Sequence, residues 1–200
     1  MKFSWFLIIL AVSGLTGYYW GLGTSDRSQA AFVQYNTESF APKLPTKTEQ
    51  CAMIGSLPDS ECTQGSIFPN ATVDKICVSG YTKTVRSVPV SLKKKIYRMY
   101  GIKYPQPFGT YEADHFIPLA LGGDNDVANL FPEPAEPRPG FKEKDLVESY
   151  LYEKVCSGEI ELPAAQRAIS GNWLQVYDSL SDSEISRLKN KYKDWTKRGD

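Results

Sequence analysis

His115 is the only histidine in a chain of 200 residues, and it directly follows Asp114. A single imidazole excludes two-His and three-His metal sites built by one chain. Any proton transfer that needs an imidazole near neutral pH must use this one. Carboxylates crowd the same stretch: residues 112–136 carry Glu112, Asp114, Asp124, Asp126, Glu133 and Glu136 with no basic group. Just before it, residues 75–111 carry Lys75, Lys83, Arg86, Lys93, Lys94, Lys95, Arg98 and Lys103 with no acidic group. A basic block beside an acidic block fits a phosphate-binding surface next to a cation site. On charge alone, two solvated faces of opposite sign fit equally well. The whole chain balances 23 Lys+Arg against 23 Asp+Glu, so no global charge selects a nucleic-acid or membrane partner.

These side chains need elements to position them. The run YEADHFIPLALGGDNDVANLFPE is apolar-rich and cut by Gly122-Gly123, which predicts a strand, a loop and a second short strand. Upstream, ICVSGYTKTVRSV reads as an extended segment interrupted at Ser79-Gly80. Ser91 is placed to cap a short helix from Leu92 to Tyr100, with Leu92, Ile96 and Met99 on one face and Gly101 as its stop. The proline-dense stretch Pro132 to Pro139 is expected to form no regular structure. A helix is expected from Phe141 to about Cys156, then another from Pro163 with Ile169, Trp173, Val176 and Tyr177 inward. Ser181 and Glu184 form a capping box for a last helix with Ile185, Leu188, Tyr192 and Trp195 on one face. The class is α+β, with no internal repeat.

The order strand, glycine loop, strand, helix, with Asp-His on the first strand and Asn on the second, resembles the HNH nuclease family. Its residues here are Glu112, Asp114-His115, Ile117-Pro118-Leu119, Gly122-Gly123, Asn129-Leu130 and Pro132-Glu133. The resemblance is closer to exported bacterial HNH-like proteins. That branch adds the upstream segment Cys77 to Arg86 and, downstream, Lys144-Asp145, Glu148, Val155 to Gly158, Ala165-Gln166 and Trp173. It covers roughly residues 66–177. The resemblance implies a small ββα-metal core with additional helices and a metal-dependent endonuclease of little sequence preference.

Phosphodiester hydrolysis needs an activated water, a cation on the phosphate oxygens and help for the leaving oxygen. His115 suits the general base. Asp114 offers a hard oxygen to a divalent cation, Mg²⁺ first, with Mn²⁺ or Ca²⁺ also suited. Strand alternation aims neighbours at opposite faces, so Asp114 and His115 can share a site only at a bulge or a strand end. By the resemblance, Asn129 braces the loop and holds the imidazole in position. Arg86, Lys93, Lys94 and Lys95 would bind DNA or RNA phosphates without reading sequence. The family's last histidine, a metal ligand on the helix, is absent. Asp145 and Glu148, three apart, are the candidates to replace it; the alternative is a surface Lys144–Glu148 ion pair with Asp145 complementing the helix N-terminus.

The ends suggest export. Residues 3–22 are uncharged and apolar, about 20 residues, enough for a membrane-spanning helix; a cleaved signal peptide is the competing reading. Residues 23–65 read as a linker and a small loop-rich segment, 66–180 as the nuclease-like domain, and 181–200 as a charged C-terminal helix. Four cysteines allow three pairings. Cys51–Cys62, closing a short loop, and Cys77–Cys156, tying the early domain to a later helix, are the favoured set, in a secreted, periplasmic or membrane-anchored protein. Asp124-Asn125-Asp126 reads as a polar turn, and the tyrosines at 97, 100, 104 and 111 as packing residues or base-stacking rings. The other function classes are a metal-free binding module on the same fold and a glycan hydrolase pairing Glu112 with Glu133. Nothing in the sequence points to a protein partner.

Overall fold

The computed structural model describes residues 44–193. The apolar run at 3–22 and Trp195 lie outside the described residues. Among the described residues, six α-helices, two single-turn 3-10 helices (Leu119–Leu121 and Val127–Asn129) and one two-stranded sheet make an α+β fold: α1 (Val73–Ile76), α2 (Tyr81–Val85), α3 (Val90–Met99), β1 (Tyr111–His115), β2 (Leu130–Pro134), α4 (Phe141–Cys156), α5 (Leu162–Ser179) and α6 (Asp182–Lys191). Among the described residues no helix is long and apolar enough to cross a membrane.

β1 and β2 pair antiparallel, with Asp114 opposite Phe131 and His115 opposite Leu130. The strand ends at His115, which meets the demand set by the Asp-His pair. Directly paired residues share a sheet face. The register therefore puts Glu112 and Asp114 with Phe131 and Glu133 on one face, and Ala113 and His115 with Leu130 and Pro132 on the other. The first face meets α4; on the second, Ala113 and Leu130 pack with Ile96 and Tyr97 of α3.

Two sequence expectations fail here. Pro132 and Pro134 lie inside β2, within the stretch expected to be irregular. The Phe116 N–H donates to Asn129 O at 2.7 Å and the Ala135 N–H to Thr110 O at 2.9 Å, which sets the parity of the ladder. Both prolines then fall at non-hydrogen-bonded positions, where their missing N–H breaks nothing. The segment expected to be extended before Ser87 is instead α1 and α2, joined through Gly80 in the left-handed region (φ 85°). Ile76 is buried in the core from α1, so packing overrides the strand preference of the segment's β-branched residues.

The other helices form where patterning placed them, with local differences. α3 begins directly after Pro89, its N-cap residue, and Ser91 lies in its first turn rather than capping it. The α4 boundaries agree, and Glu143 accepts from the Gly140 N–H at 2.9 Å, closing its first turn. α5 is interrupted at Asn172 (φ −163°, ψ 91°), whose Oδ1 accepts from the Leu174 N–H and restarts the helix. Ser181 caps α6 by accepting from the Glu184 N–H at 3.2 Å.

The main core joins Phe116, Ile117, Leu121 and Phe131 of the hairpin region to Val147, Leu151 and Val155 of α4 and Ile169 and Trp173 of α5. The small loop-rich segment before residue 66 contributes Cys51 and Cys62 to it. Leu188 of α6 is also fully buried. Both disulfides form: Cys51–Cys62, and Cys77–Cys156 from the end of α1 to the end of α4. Two cystines and no free cysteine among the described residues fit an oxidising compartment.

Candidate functional site

The loop from β1 to β2 is built around Asn129. Its Oδ1 accepts from the Ile117 N–H at 2.8 Å, and its Nδ2 donates to Ile117 O and Asp124 O, both at 2.9 Å. Asn129 is fully buried and closes the loop on itself. Gly123 is required beneath it, since a Cβ there would sit 1.8 Å from Ile117 O. Asn129 thus braces backbone and does not touch His115 by any of these bonds.

Asn125 holds the imidazole. His115 Nε2 lies 3.2 Å from Asn125 Oδ1. The same Oδ1 accepts from the Ser87 N–H at 3.0 Å, while Nδ2 donates to Val85 O at 2.8 Å. The amide is therefore locked with its oxygen toward the ring. Nε2 must carry the hydrogen, leaving the lone pair on Nδ1. Burial lowers the His115 pKa, and Arg86 and Lys144 add to the effect, against the raising influence of Asp114 and Asn125. The ring is neutral at neutral pH.

On the opposite face, Lys144 of α4 occupies the centre of a carboxylate cluster. Its ammonium, fully buried, donates to Asp114 Oδ2 at 2.9 Å, to His115 O at 2.8 Å and to Glu148 Oε1, and lies 3.5 Å from Glu133 Oε2. Burial would raise the Asp114 carboxyl, but Lys144 and then His115 hold it well below the usual carboxylate range. Burial pushes the Glu133 carboxyl well above its ordinary value, against the lowering influence of Lys144. The Lys144–Glu148 contact is thus an ion pair with its ammonium fully buried and its carboxylate on the cleft, not the surface pair that the spacing alone allowed.

A cleft of about 920 Å³ opens over these groups. Asp114, His115, Asp145 and Glu148 face it, with Arg86 and Lys93 on its wall. Burial, followed by the neighbouring carboxylates, raises Asp145 well above its ordinary value. Burial likewise pushes Glu148 up to about 7, despite Lys144. Lys94 lines a neighbouring hollow instead, and Lys95 is exposed beyond both. Glu133 is fully buried and off the cleft, so it cannot flank a sugar opposite Glu112.

Among the described residues no three His, Cys, Asp or Glu side chains are grouped to hold a metal ion. Mg²⁺ needs fewer, binding through one or two carboxylates while keeping several waters. Asp114 and Glu148 each give Lys144 one oxygen, and Asp145 is raised by burial and then by Glu148 and Asp114, with Lys144 opposing them. This all-oxygen donor set fits a hard divalent cation in its chemistry and excludes a thiolate or imidazole zinc site.

Sequence reasoning missed Asn125 and Lys144. Asn125 sat in a polar turn, and its partners lie some 40 residues away. Lys144 looked like one half of an i,i+4 surface pair. Comparison with known proteins finds no matching family model, no matching curated protein and no matching solved structure.

Proposed function

We propose that this chain is a divalent-metal-dependent endonuclease that hydrolyses phosphodiester bonds with little sequence preference, on an HNH-like ββα core. The observation that carries the reading is His115: a neutral imidazole at the end of β1, its tautomer fixed by Asn125, beside Asp114 in a cleft with a basic wall. The hairpin followed by α4 supplies the ββα order that the resemblance implies.

His115 Nδ1 accepts the proton of the attacking water as its oxygen bonds to phosphorus and the bond to the leaving oxygen breaks. Arg86 and Lys93 hold the flanking phosphates. Asn125 keeps the imidazole from rotating away, and Asn129 fixes the backbone that carries it. Asp114 and Glu148, with Asp145 beside them, would hold the cation. When bound, such a cation neutralises charge on the phosphate oxygens and stabilises the leaving group.

The disulfides support work outside the cytoplasm, with the apolar run at 3–22 acting as signal peptide or membrane anchor. A plasmid-nicking assay with Mg²⁺, Mn²⁺, Ca²⁺ or chelator tests the enzyme reading. Nicking that stops in chelator and in His115→Ala is the expected result; none with any of the three metals would overturn it. A second reading, a nucleic-acid-binding module without metal, is favoured by one observation: Lys144 already supplies a positive charge between Asp114 and Glu148.

A further inference from the structure

We infer that the cleft takes single-stranded polynucleotide, with Phe108 as the platform on which an unpaired base stacks. The inference rests on the phosphodiester reading above and names the substrate class of that site. Phe108 is 81% exposed and lines the cleft. Leu44, Ile54, Val73, Val78 and Val90 are also exposed among the described residues, but Phe108 is the one aromatic ring of that set and it lines a charged cleft, where a flat apolar face can meet a ligand. The turn that carries it is built. Gln106 Nε2 donates to Lys103 O at 2.6 Å, and the Thr110 hydroxyl to Pro107 O at 2.7 Å.

Tyr104, on the same turn, lines both the cleft and the adjoining hollow formed with Lys94, Arg98 and Lys103. Its ring is held edge-on against Tyr97, with centroids 5.2 Å apart. The cleft that holds His115 thus combines basic Arg86 and Lys93 with aromatic Phe108 and Tyr104, and Tyr104 is shared with the basic hollow of Lys94, Arg98 and Lys103. A flexible strand with phosphates on one edge and flat apolar bases on the other matches that combination. A duplex hides its base faces in its own stack and gives Phe108 nothing to cover. An acidic peptide satisfies the lysines and leaves the rings wet.

The test is fluorescence anisotropy with the full-length chain in chelator, where cleavage is silent and oligonucleotide integrity is checked on a gel. Three labelled probes of equal length are compared: a mixed-sequence single strand, a hairpin duplex and an abasic single strand. The single strand should bind about tenfold tighter than either other probe, in line with the usual worth of one stacked base. Phe108→Ala should bring the single strand down to the abasic level and leave abasic binding unchanged. Lys94→Ala with Arg98→Ala should weaken single and abasic strands alike and flatten the salt dependence. Equal affinity for single strand and duplex, or a Phe108→Ala protein that still prefers bases, would overturn the inference. Discrimination without nicking in any metal would leave the strand-binding cleft standing and sink the nuclease; nicking without discrimination would do the reverse.

Discussion

His115 and Asn125 stand ten residues apart in sequence, and one hydrogen bond, Nε2 to Oδ1 at 3.2 Å, joins them across the β1–β2 loop. Because Asn125 is itself clamped by Val85 O and the Ser87 N–H, the bond decides which ring nitrogen is basic. Asn125→Asp puts a carboxylate against Nε2–H and stabilises the imidazolium. The His115 pKa should rise, and the acid limb of kcat/KM should move to higher pH. Asn125→Ala removes the clamp instead, and should lower kcat by about 10-fold or more through lost positioning. A pH–rate profile of Asn125→Asp that superimposes on wild type would remove this role.

Lys144 makes a different forecast, about stability. Removing one partner of a buried ion pair costs about 3–5 kcal/mol, because the other charge stays buried and unpaired. Lys144→Met should approach that cost at pH 8, read as the urea midpoint. With the ammonium gone, the carboxyls of Asp114, Glu133 and Glu148 are held protonated more strongly in the folded state than in the unfolded one. The folded state then binds more protons, so the variant should regain stability as pH falls from 8 toward 5. Adding Glu133→Gln should recover part of the loss. An unchanged midpoint at pH 8 would show that the ammonium is dispensable.

What could be read from the chain, and what could not, divides by sequence distance. The Asp114-His115 strand, the glycine loop and α4 follow local rules of period, turn chemistry and capping, and the structure places all of them as expected. The two prolines of β2 follow a rule too, but one that needs the register, which only pairing supplies. Asn125 and Lys144 obey no local rule. Their roles arise when Val85, Ser87 and β1 are brought to them by packing, and a polar turn or an i,i+4 pair gives no hint of that. The helices at 73–85 were hidden by β-branched residues whose strand preference the core does not use.

The Cys77–Cys156 bridge fastens the end of α1 to the end of α4, closing a sequence separation of 79 residues. By constraining the unfolded chain, such a link is worth about 2–5 kcal/mol. Replacing both cysteines with alanine should lower the urea midpoint accordingly. It should also loosen the cleft wall at 77–86, so nucleic-acid affinity falls more than loss of charge explains, since no charge is removed. Non-reducing peptide mapping of exported protein should recover the two peptides as one species. Two alkylatable thiols at these positions would contradict the pairing.

His115→Ala addresses the chemistry directly. Loss of a positioned general base costs about 10²–10⁴ in rate. Because the phosphate contacts come from Arg86 and Lys93, the variant should bind substrate within a few-fold of wild type. The wild-type acid limb should lie below pH 6.5, the ordinary imidazole value, since burial lowers the His115 pKa. The same shift has a stability sign. Below pH 6.5 the unfolded chain protonates this residue while the folded one resists, so wild type loses stability as pH falls from 6.5 toward the folded pKa. His115→Ala should lack that increment of acid sensitivity, seen as a smaller drop in midpoint between pH 7 and 5. A merely structural histidine would instead lose activity and stability together at every pH. A folded His115→Ala protein with wild-type, metal-dependent nicking would remove the mechanism.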